Sequence, residues 1–176
     1  MASGSHSGPS GVNGNIRLWD VRSGNVVWEV SEKVDCFADV AVCDSLSVIF
    51  KVGVNSGEAS YVDLRNLSSG GENAWVCLGD NKRKILNGKK EGFGCKVETQ
   101  GNQVFCTKGG EVELWSEVVM GSGNSSGRIF KKNLMGRVRD MGGAKITNLA
   151  FGGSTMFLTR KDQQCVEVWQ SSSREF

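Results

Sequence analysis

The stretch GNIRLWDVRSGNVVWEV, residues 14–30, has the pattern of two short strands joined by a tight turn. The first strand ends in Trp19 and Asp20, and the turn RSGN contains Gly24, a residue that tolerates the positive φ of a tight return. Apolar and polar residues alternate on both sides of this turn, as they do in strands with one buried face. The stretch therefore predicts an antiparallel β-hairpin.

The first strand of this hairpin belongs to a repeat. Its pattern of apolar, charged, apolar and Trp occurs at residues 16–19, 112–115 and 166–169, and residues 59–66 fit the same pattern with Val62 in the Trp position. The four positions 19, 62, 115 and 169 are 43, 53 and 54 residues apart. A repeat of roughly 40–50 residues with a Trp on its third strand is typical of β-propeller blades. The predicted structural anchors of these blades are Trp19, Asp20, Asp63, Trp115 and Trp169.

The rest of the chain fits the same architecture. Short apolar runs are separated by Gly, Asn, Ser and Asp, and no long amphipathic helix is predicted. The strands are predicted at residues 16–21, 26–30, 37–42, 46–52, 59–64, 74–78, 94–98, 103–107, 111–118, 128–132, 146–151, 155–159 and 165–170. The expected fold is all-β, a partial β-propeller of about three and a half WD-like four-stranded antiparallel blades, incomplete at both ends.

The domain boundaries follow from these strands. Residues 1–13 are predicted to be a flexible Gly/Ser-rich segment and residues 14–176 a WD-like propeller fragment. The fragment divides into a half blade at 14–30, blades at 35–80 and 92–132, and a partial blade at 144–172. A half blade without its inner strands predicts an unpaired edge at residues 16–21, and such an edge normally attracts another strand. The last unit ends after its third strand, at residues 165–170, so it also lacks an outer partner strand. We expect these two open ends either to pair with strands of absent sequence or to make the isolated chain prone to aggregation.

The composition and charge of the chain argue against binding to nucleic acid, insertion into a membrane and secretion. The chain has 176 residues, 39% hydrophobic and 23% charged, with a formal net charge of +2. This charge is too small to indicate a nucleic acid or an anionic membrane as partner, and no apolar run approaches the roughly 20 residues of a membrane span. The N-terminus lacks the basic and apolar regions of a signal peptide. We expect a cytoplasmic protein, with the nucleus as the alternative.

Catalytic and metal-binding motifs are missing from the sequence. The six cysteines form no Cys-x-x-Cys pair, and His6 is the single histidine. A Ser-His-Asp or Cys-His arrangement requires a positioned histidine, and a zinc site requires a characteristic ligand spacing. The sequence therefore predicts structural thiols, no metal, no cofactor and no enzymatic activity.

A cluster of basic residues is the most prominent charge feature. Five of them lie in the predicted loop 79–92 and two in the predicted connection 133–145: Lys82, Arg83, Lys84, Lys89, Lys90, Arg137 and Arg139. The simpler interpretation is a solvated pair of loops. Since blade connections emerge on one rim of a propeller, the two groups are also the candidate partner-binding rim. A free-standing scaffold or nucleic-acid-binding fragment using this rim is the alternative function.

Several segments resemble one known family. The segments GSHSGPSG (4–11), NGNIRLWDVRSGNVVWEV (13–30), GNQVFCTKGGEVELWSEV (101–118), KNLMGRV (132–138), ITNLAFGG (146–153) and RKDQQCVEVWQSSSR (160–174) are similar to the C-terminal, WD-repeat-like propeller region of plant BTB/POZ-domain proteins of the potassium-channel tetramerisation type. The likeness covers nearly the whole chain. Ordinary WD repeats are matched less well, since no His precedes any first strand and only the Trp positions agree. We therefore expect these sheets to be held by apolar packing more than by a buried polar network.

The resemblance implies a function in protein–protein interaction. In that family the BTB domain is expected to dock onto a cullin-3 scaffold of a RING ubiquitin ligase, and the propeller to capture the protein that is ubiquitinated. The chain contains no BTB region, so it resembles the substrate-recognition part of such an adaptor. The expected partners are other proteins, with a cullin scaffold bound only through an absent BTB domain, no membrane and no nucleic acid.

Overall fold

The computed structural model describes residues 2–6, 14–32, 35–65, 75–79, 94–118, 128–133, 135 and 144–170. Within these residues the fold is all-β, with no α-helix and four antiparallel sheets. The all-β class predicted from the period-2 alternation is confirmed. For residues 2–6 the description covers the backbone alone.

Each sheet is a meander of strands that follow one another along the chain. The first sheet contains β1 (Ala2–His6), β2 (Gly14–Asp20) and β3 (Asn25–Glu32). The second contains β4 (Phe37–Cys43), β5 (Val48–Gly53), β6 (Ala59–Asp63) and β7 (Val76–Cys77). The third contains β8 (Val97–Gln100), β9 (Gln103–Lys108), β10 (Glu111–Val118) and β11 (Ile129–Asn133). The fourth contains β12 (Ile146–Gly152), β13 (Thr155–Arg160) and β14 (Val166–Gln170).

The first strand corrects one expectation from the sequence. β1 pairs antiparallel with β2, from Ala2 opposite Leu18 to His6 opposite Gly14. The edge at residues 16–21 was predicted to be unpaired, and the segment 1–13 to be flexible; the paired strand β1 makes the first of these predictions wrong. An open strand edge offers unpaired N–H and C=O groups. Because strand pairing uses backbone groups, a Gly- and Ser-rich segment can pair with this edge even though its composition predicts flexibility.

Apolar side chains fill the three spaces between consecutive sheets. Ile16, Trp28 and Val30 of the first sheet pack with Ile49 and Val62 of the second. The other two spaces are filled in the same way. Phe50, Val52 and Tyr61 pack with Val97, Val104 and Phe130 between the second and third sheets, and Phe105 packs with Leu149, Met156 and Leu158 between the third and fourth. The sheets therefore stack face to face in chain order.

β5 shows why one sheet can have two buried faces. Its six positions are all buried, and successive side chains point to opposite faces. Phe50 and Val52 contact the third sheet, whereas Ile49 contacts the first. A strand at the centre of the stack is therefore a continuous apolar run, with Lys51 as its only charged residue.

Candidate interaction surface

The basic residues predicted to form a partner-binding rim lie outside the described residues. This holds for all seven of them: Lys82, Arg83, Lys84, Lys89, Lys90, Arg137 and Arg139. The five predicted anchors, in contrast, are all described. The described candidate surface consists of the anchors, the contacts between sheets, and the exposed faces of the first and fourth sheets.

The Trp anchors of the third and fourth sheets lie on the face toward the preceding sheet. Trp115 packs against the apolar cluster shared with the second sheet, and Trp169 against the cluster shared with the third. Val62, in the same position of the second sheet, packs against the first. Trp115 Nε1 has no hydrogen-bond partner within the described part of the chain, so its ring contributes through apolar contact. At residues 62, 115 and 169 the repeat position is thus a contact position between sheets.

Asp20 closes the turn of the first hairpin. Its carboxylate accepts hydrogen bonds from the Arg22 backbone N–H at 2.9 Å and from the Ser23 hydroxyl at 3.1 Å. These bonds, of which that from Arg22 is the stronger influence, lower the pKa of Asp20. The Gly24 N–H donates to the Asp20 carbonyl at 2.8 Å, and Gly24 has a φ of 71°. Asp20 therefore shapes the turn and faces solvent.

Asp63 forms part of a buried ionic contact between the second and third sheets. Arg128, whose side chain is 9% exposed, donates from Nε to Asp63 and from Nη1 to Glu117, both at 2.7 Å. A further guanidinium nitrogen donates to the Leu46 carbonyl at 2.5 Å. Arg65 binds the same Asp63 carboxylate from the solvent side. Arg128 therefore links its own sheet to strand β6 and to the turn between β4 and β5 of the preceding sheet.

This contact makes the stability of the fold dependent on pH. Burial by itself raises the pKa of Asp63, but the hydrogen bonds from Arg65 and Arg128 outweigh it and hold this pKa well below its usual range. A carboxyl group with a depressed folded-state pKa stabilises the fold above its unfolded pKa and loses that contribution as the pH falls toward the folded value. We expect the Asp63 contribution to be complete above about pH 4 and to fade below it.

The variant Asp63→Asn tests this pH dependence. It is expected to lower the free energy of unfolding by about 1–3 kcal/mol at neutral pH, because the paired carboxylate is lost. Its urea-unfolding profile should also fall less steeply than the wild-type profile when the pH is lowered below about 4. Asp44→Asn, at an exposed turn residue, is the matched control. Parallel pH profiles for Asp63→Asn and wild type would contradict the prediction.

Lys51 is the centre of a second buried network, between the first and second sheets. Lys51 is 2% exposed and pairs with Glu32, which is 4% exposed. Its ammonium also donates to the Asp35 carbonyl at 2.9 Å and lies 4.7 Å from the centre of the Trp75 ring. The Asp35 carboxylate accepts from the Asn55 backbone N–H at 2.8 Å. Each charged side chain of this network faces a partner, as buried charges require.

A third buried cation lies between the third and fourth sheets. Arg160 is 8% exposed, forms an ion pair with Glu167, and donates to the carbonyl of Gly110 at 2.8 Å and of Ala144 at 2.9 Å. The Arg160 guanidinium is also the main reason that the pKa of Glu167 is lowered. Trp169 Nε1 donates to the same carboxylate at 3.2 Å. A charged or polar tie therefore accompanies apolar packing at every boundary between the four sheets.

These three cations were missed in the sequence. The expectation that apolar packing holds the sheets together is correct for the three clusters but incomplete, since a buried Lys or Arg side chain also binds a group of the neighbouring sheet at each boundary. Lys51 had a visible signal, because it interrupts the apolar run VIFKV at residues 48–52. Arg128 and Arg160 had none, since each lies at the end of a strand, where exposed charges are common.

The outer face of the fourth sheet exposes large apolar side chains. Phe157 is 38% exposed, and Val166 and Val168 are each 56% exposed. Phe157 lies opposite Val168 across the β13–β14 ladder, so these side chains form a continuous group. On the first sheet, Val26 is 39% and Val27 63% exposed. The two sheets at the ends of the stack therefore both carry apolar residues outside the described core.

The described residues contain no candidate metal cluster and no candidate membrane-spanning helix. They contain no group of three or more His, Cys, Asp and Glu side chains that could hold a metal ion. None of them forms a helix with the length and apolarity needed to cross a bilayer. Burial raises the pKa of the Cys36, Cys95 and Cys106 thiols, which disfavours their reactive thiolate forms.

Comparison with known proteins points to one sequence relative. No family model matches the chain. The crystal structure of the computationally designed Ika4 protein is similar with a TM-score of 0.49 and 13% identity, over 89% of this chain and 79% of that one. The BTB/POZ domain-containing protein At5g41330 of Arabidopsis thaliana is 58% identical over 181 residues, covering 99% of this chain. A close homologue of the chain is therefore a BTB/POZ domain-containing protein, of whose length the chain spans 39%.

Proposed function

We propose that the four sheets are consecutive blades of a partial β-propeller. The observation that carries this proposal is the stacking of antiparallel meanders in chain order, with an apolar cluster at each of the three boundaries. The repeated position 62, 115 and 169 supports it, because each of these residues faces the preceding sheet. Blades of a propeller bury both faces only against neighbours, as the second and third sheets do here.

The function proposed for this fold is protein–protein interaction, without catalysis, cofactor or metal. The relative with 58% identity is a BTB/POZ domain-containing protein. We propose that the chain corresponds to the substrate-recognition part of a BTB-type adaptor of a cullin-3 RING ubiquitin ligase, acting in the cytoplasm or the nucleus. Its ligand would be the protein that is ubiquitinated, bound on surfaces that the stack of sheets presents.

A two-step experiment tests this function. Proteins that bind the purified chain in plant extract are first identified by chemical crosslinking and mass spectrometry. Each is then offered to a reconstituted ubiquitination reaction that contains the BTB/POZ relative, cullin-3 and a RING protein. We expect at least one binder to be ubiquitinated only when the relative is present, and excess chain to inhibit that reaction by competition. If no binder is ubiquitinated in this assembly, the adaptor function is wrong.

A matched variant and a nucleic-acid titration separate this function from the alternative. The variant replaces the five basic residues of loop 79–92 with alanine: Lys82, Arg83, Lys84, Lys89 and Lys90. Loss of the identified binder from this variant would assign binding to the basic rim. Titration with single- and double-stranded RNA at several salt concentrations tests the second possibility, since phosphate contacts weaken steeply as salt rises. We expect no RNA binding even at low salt.

A further inference from the structure

The outer face of the fourth sheet is the repeat equivalent of faces that are buried elsewhere in the molecule. Phe50 lies opposite Tyr61 in the second sheet, Phe105 opposite Leu114 in the third, and Phe157 opposite Val168 in the fourth. In each pair the second residue directly precedes the anchor position of its sheet, which is residue 62, 115 or 169. The three phenylalanines therefore occupy one register.

The burial of these equivalent residues differs sharply. Phe50 is 0% and Phe105 6% exposed, because the following sheet covers each of them, whereas Phe157 is 38% exposed. Val168 is 56% exposed at a register whose equivalent in the second sheet, Tyr61, is 5% exposed. The fourth sheet thus presents a face of the kind that another sheet covers in the two preceding repeats, and the centre of that face is apolar.

The outer face of the first sheet is of the opposite kind. Ile16 and Leu18 contact the second sheet, so Trp19, the next residue, lies on the outer face at the register of Trp115 and Trp169. Its cross-strand partner Val26 is 39% exposed, and Val27, at the register shift beside it, is 63% exposed. In the third and fourth sheets the face bearing the Trp anchor covers the Phe-bearing face of the preceding sheet.

We propose that two copies of this chain associate head to tail, with the outer face of the fourth sheet of one copy packed on the outer face of the first sheet of the other. The two exposed faces are the two halves of the contact that the chain repeats internally: a Phe-bearing face covered by a face with the anchor Trp. Apolar faces of this kind commonly mark an interaction site. Such heterologous contacts form a ring when their rotation closes.

The charged residues on the two faces are compatible with this contact. The exposed residues at the centre of the fourth-sheet face, Phe157, Val166 and Val168, are uncharged. On the first-sheet face, the charges of Arg17 and Glu29 are already paired with each other, with Arg17 Nη2 and Glu29 Oε1 3.2 Å apart. Among the described side chains of the two faces, docking therefore leaves no buried charge without a partner, which would otherwise oppose association. A contact between two fourth-sheet faces would join two Phe-bearing faces, a combination found at none of the three described boundaries.

Sedimentation of wild type and of two single-face variants tests the proposal. Val168→Lys places a charge on the fourth-sheet face, and Val26→Lys does so on the first-sheet face. We expect the wild-type chain to sediment at twice the mass of one copy or more, and each variant alone to sediment as a single copy. Val76→Lys, at a 49% exposed valine of β7 in the second sheet, is the control and should sediment like wild type. Circular dichroism establishes that each variant is folded.

Mixing the two variants distinguishes head-to-tail association from the other arrangements. Val168→Lys retains an intact first-sheet face and Val26→Lys an intact fourth-sheet face, so the equimolar mixture should form a dimer containing one copy of each. In an association of two fourth-sheet faces, Val26→Lys alone would still be a dimer and the mixture would contain no mixed species. Either that result or a monomeric wild type over the whole concentration range overturns the proposal.

Discussion

The substitution Lys51→Met is expected to lower the free energy of unfolding by about 3–5 kcal/mol, the usual cost of removing one partner from a buried ion pair. Lys51 and Glu32 are 2% and 4% exposed, so the Glu32 carboxylate would lose a charge partner in a place that water barely reaches. The Asp35 carbonyl would also lose the hydrogen bond that it accepts from Lys51 at 2.9 Å. Urea unfolding followed by Trp fluorescence measures the loss.

Two further variants show whether the loss of stability in Lys51→Met comes from the buried position of the ion pair or from the loss of a charge alone. The double variant Lys51→Met/Glu32→Gln removes both charges, keeps an acceptor for the Asp35 N–H, and should recover much of the lost stability. Lys132→Met breaks a half-exposed pair with Glu113 and should cost less than about 1 kcal/mol. If Lys51→Met costs no more than Lys132→Met, the buried network does not hold the first and second sheets together.

The substitution Phe50→Ala is expected to cost about 3–5 kcal/mol, the range measured for deleting a fully buried phenylalanine ring. Phe50 is 0% exposed, and the centre of its ring lies 5.4 Å from that of Phe130 and 6.3 Å from that of Tyr61. The cavity would open between the second and third sheets, in the largest of the three clusters. Thermal and urea unfolding give the loss in free energy.

The fourth sheet supplies the matched control for this substitution. Phe157 occupies the register of Phe50 but is 38% exposed, so Phe157→Ala should cost far less, about 1 kcal/mol or below. Both substitutions are to be made in the Val26→Lys background, where head-to-tail association is blocked and the stability of a single copy is measured. Equal losses at the two positions would show that the fourth sheet is covered in the single copy, contrary to the structure.

Much of the fold was predictable because its signals are local. Alternation of apolar and polar residues marks a strand wherever it occurs, and Gly, Asn and Asp mark the turns. The strands predicted at 103–107, 111–118 and 155–159 therefore lie within β9, β10 and β13. The repeated anchor position also indicated correctly that the sheets are similar units in series. These patterns depend only on neighbours in the chain.

The polar contacts between sheets were not predictable in this way. Arg128 binds Asp63, 65 residues earlier in the chain, and Lys51 binds the Asp35 carbonyl, 16 residues earlier. Whether a charged residue at a strand end faces solvent or a carboxylate depends on how the next sheet stacks. The pairing of β1 with β2 was missed for a related reason, since the Gly- and Ser-rich sequence at residues 2–6 has no apolar alternation to mark a strand.

The sequence by itself determined the strands from β2 onward, their order and the repeat that makes one sheet resemble the next, because alternation and turn chemistry act over a few residues. The tertiary structure alone decided which faces are covered. Phe50, Phe105 and Phe157 share one register and nearly one local pattern, yet stacking buries two of them and leaves the third exposed. Whether a residue is buried depends on the sheet that packs against it, so burial cannot be predicted from the sequence of one strand.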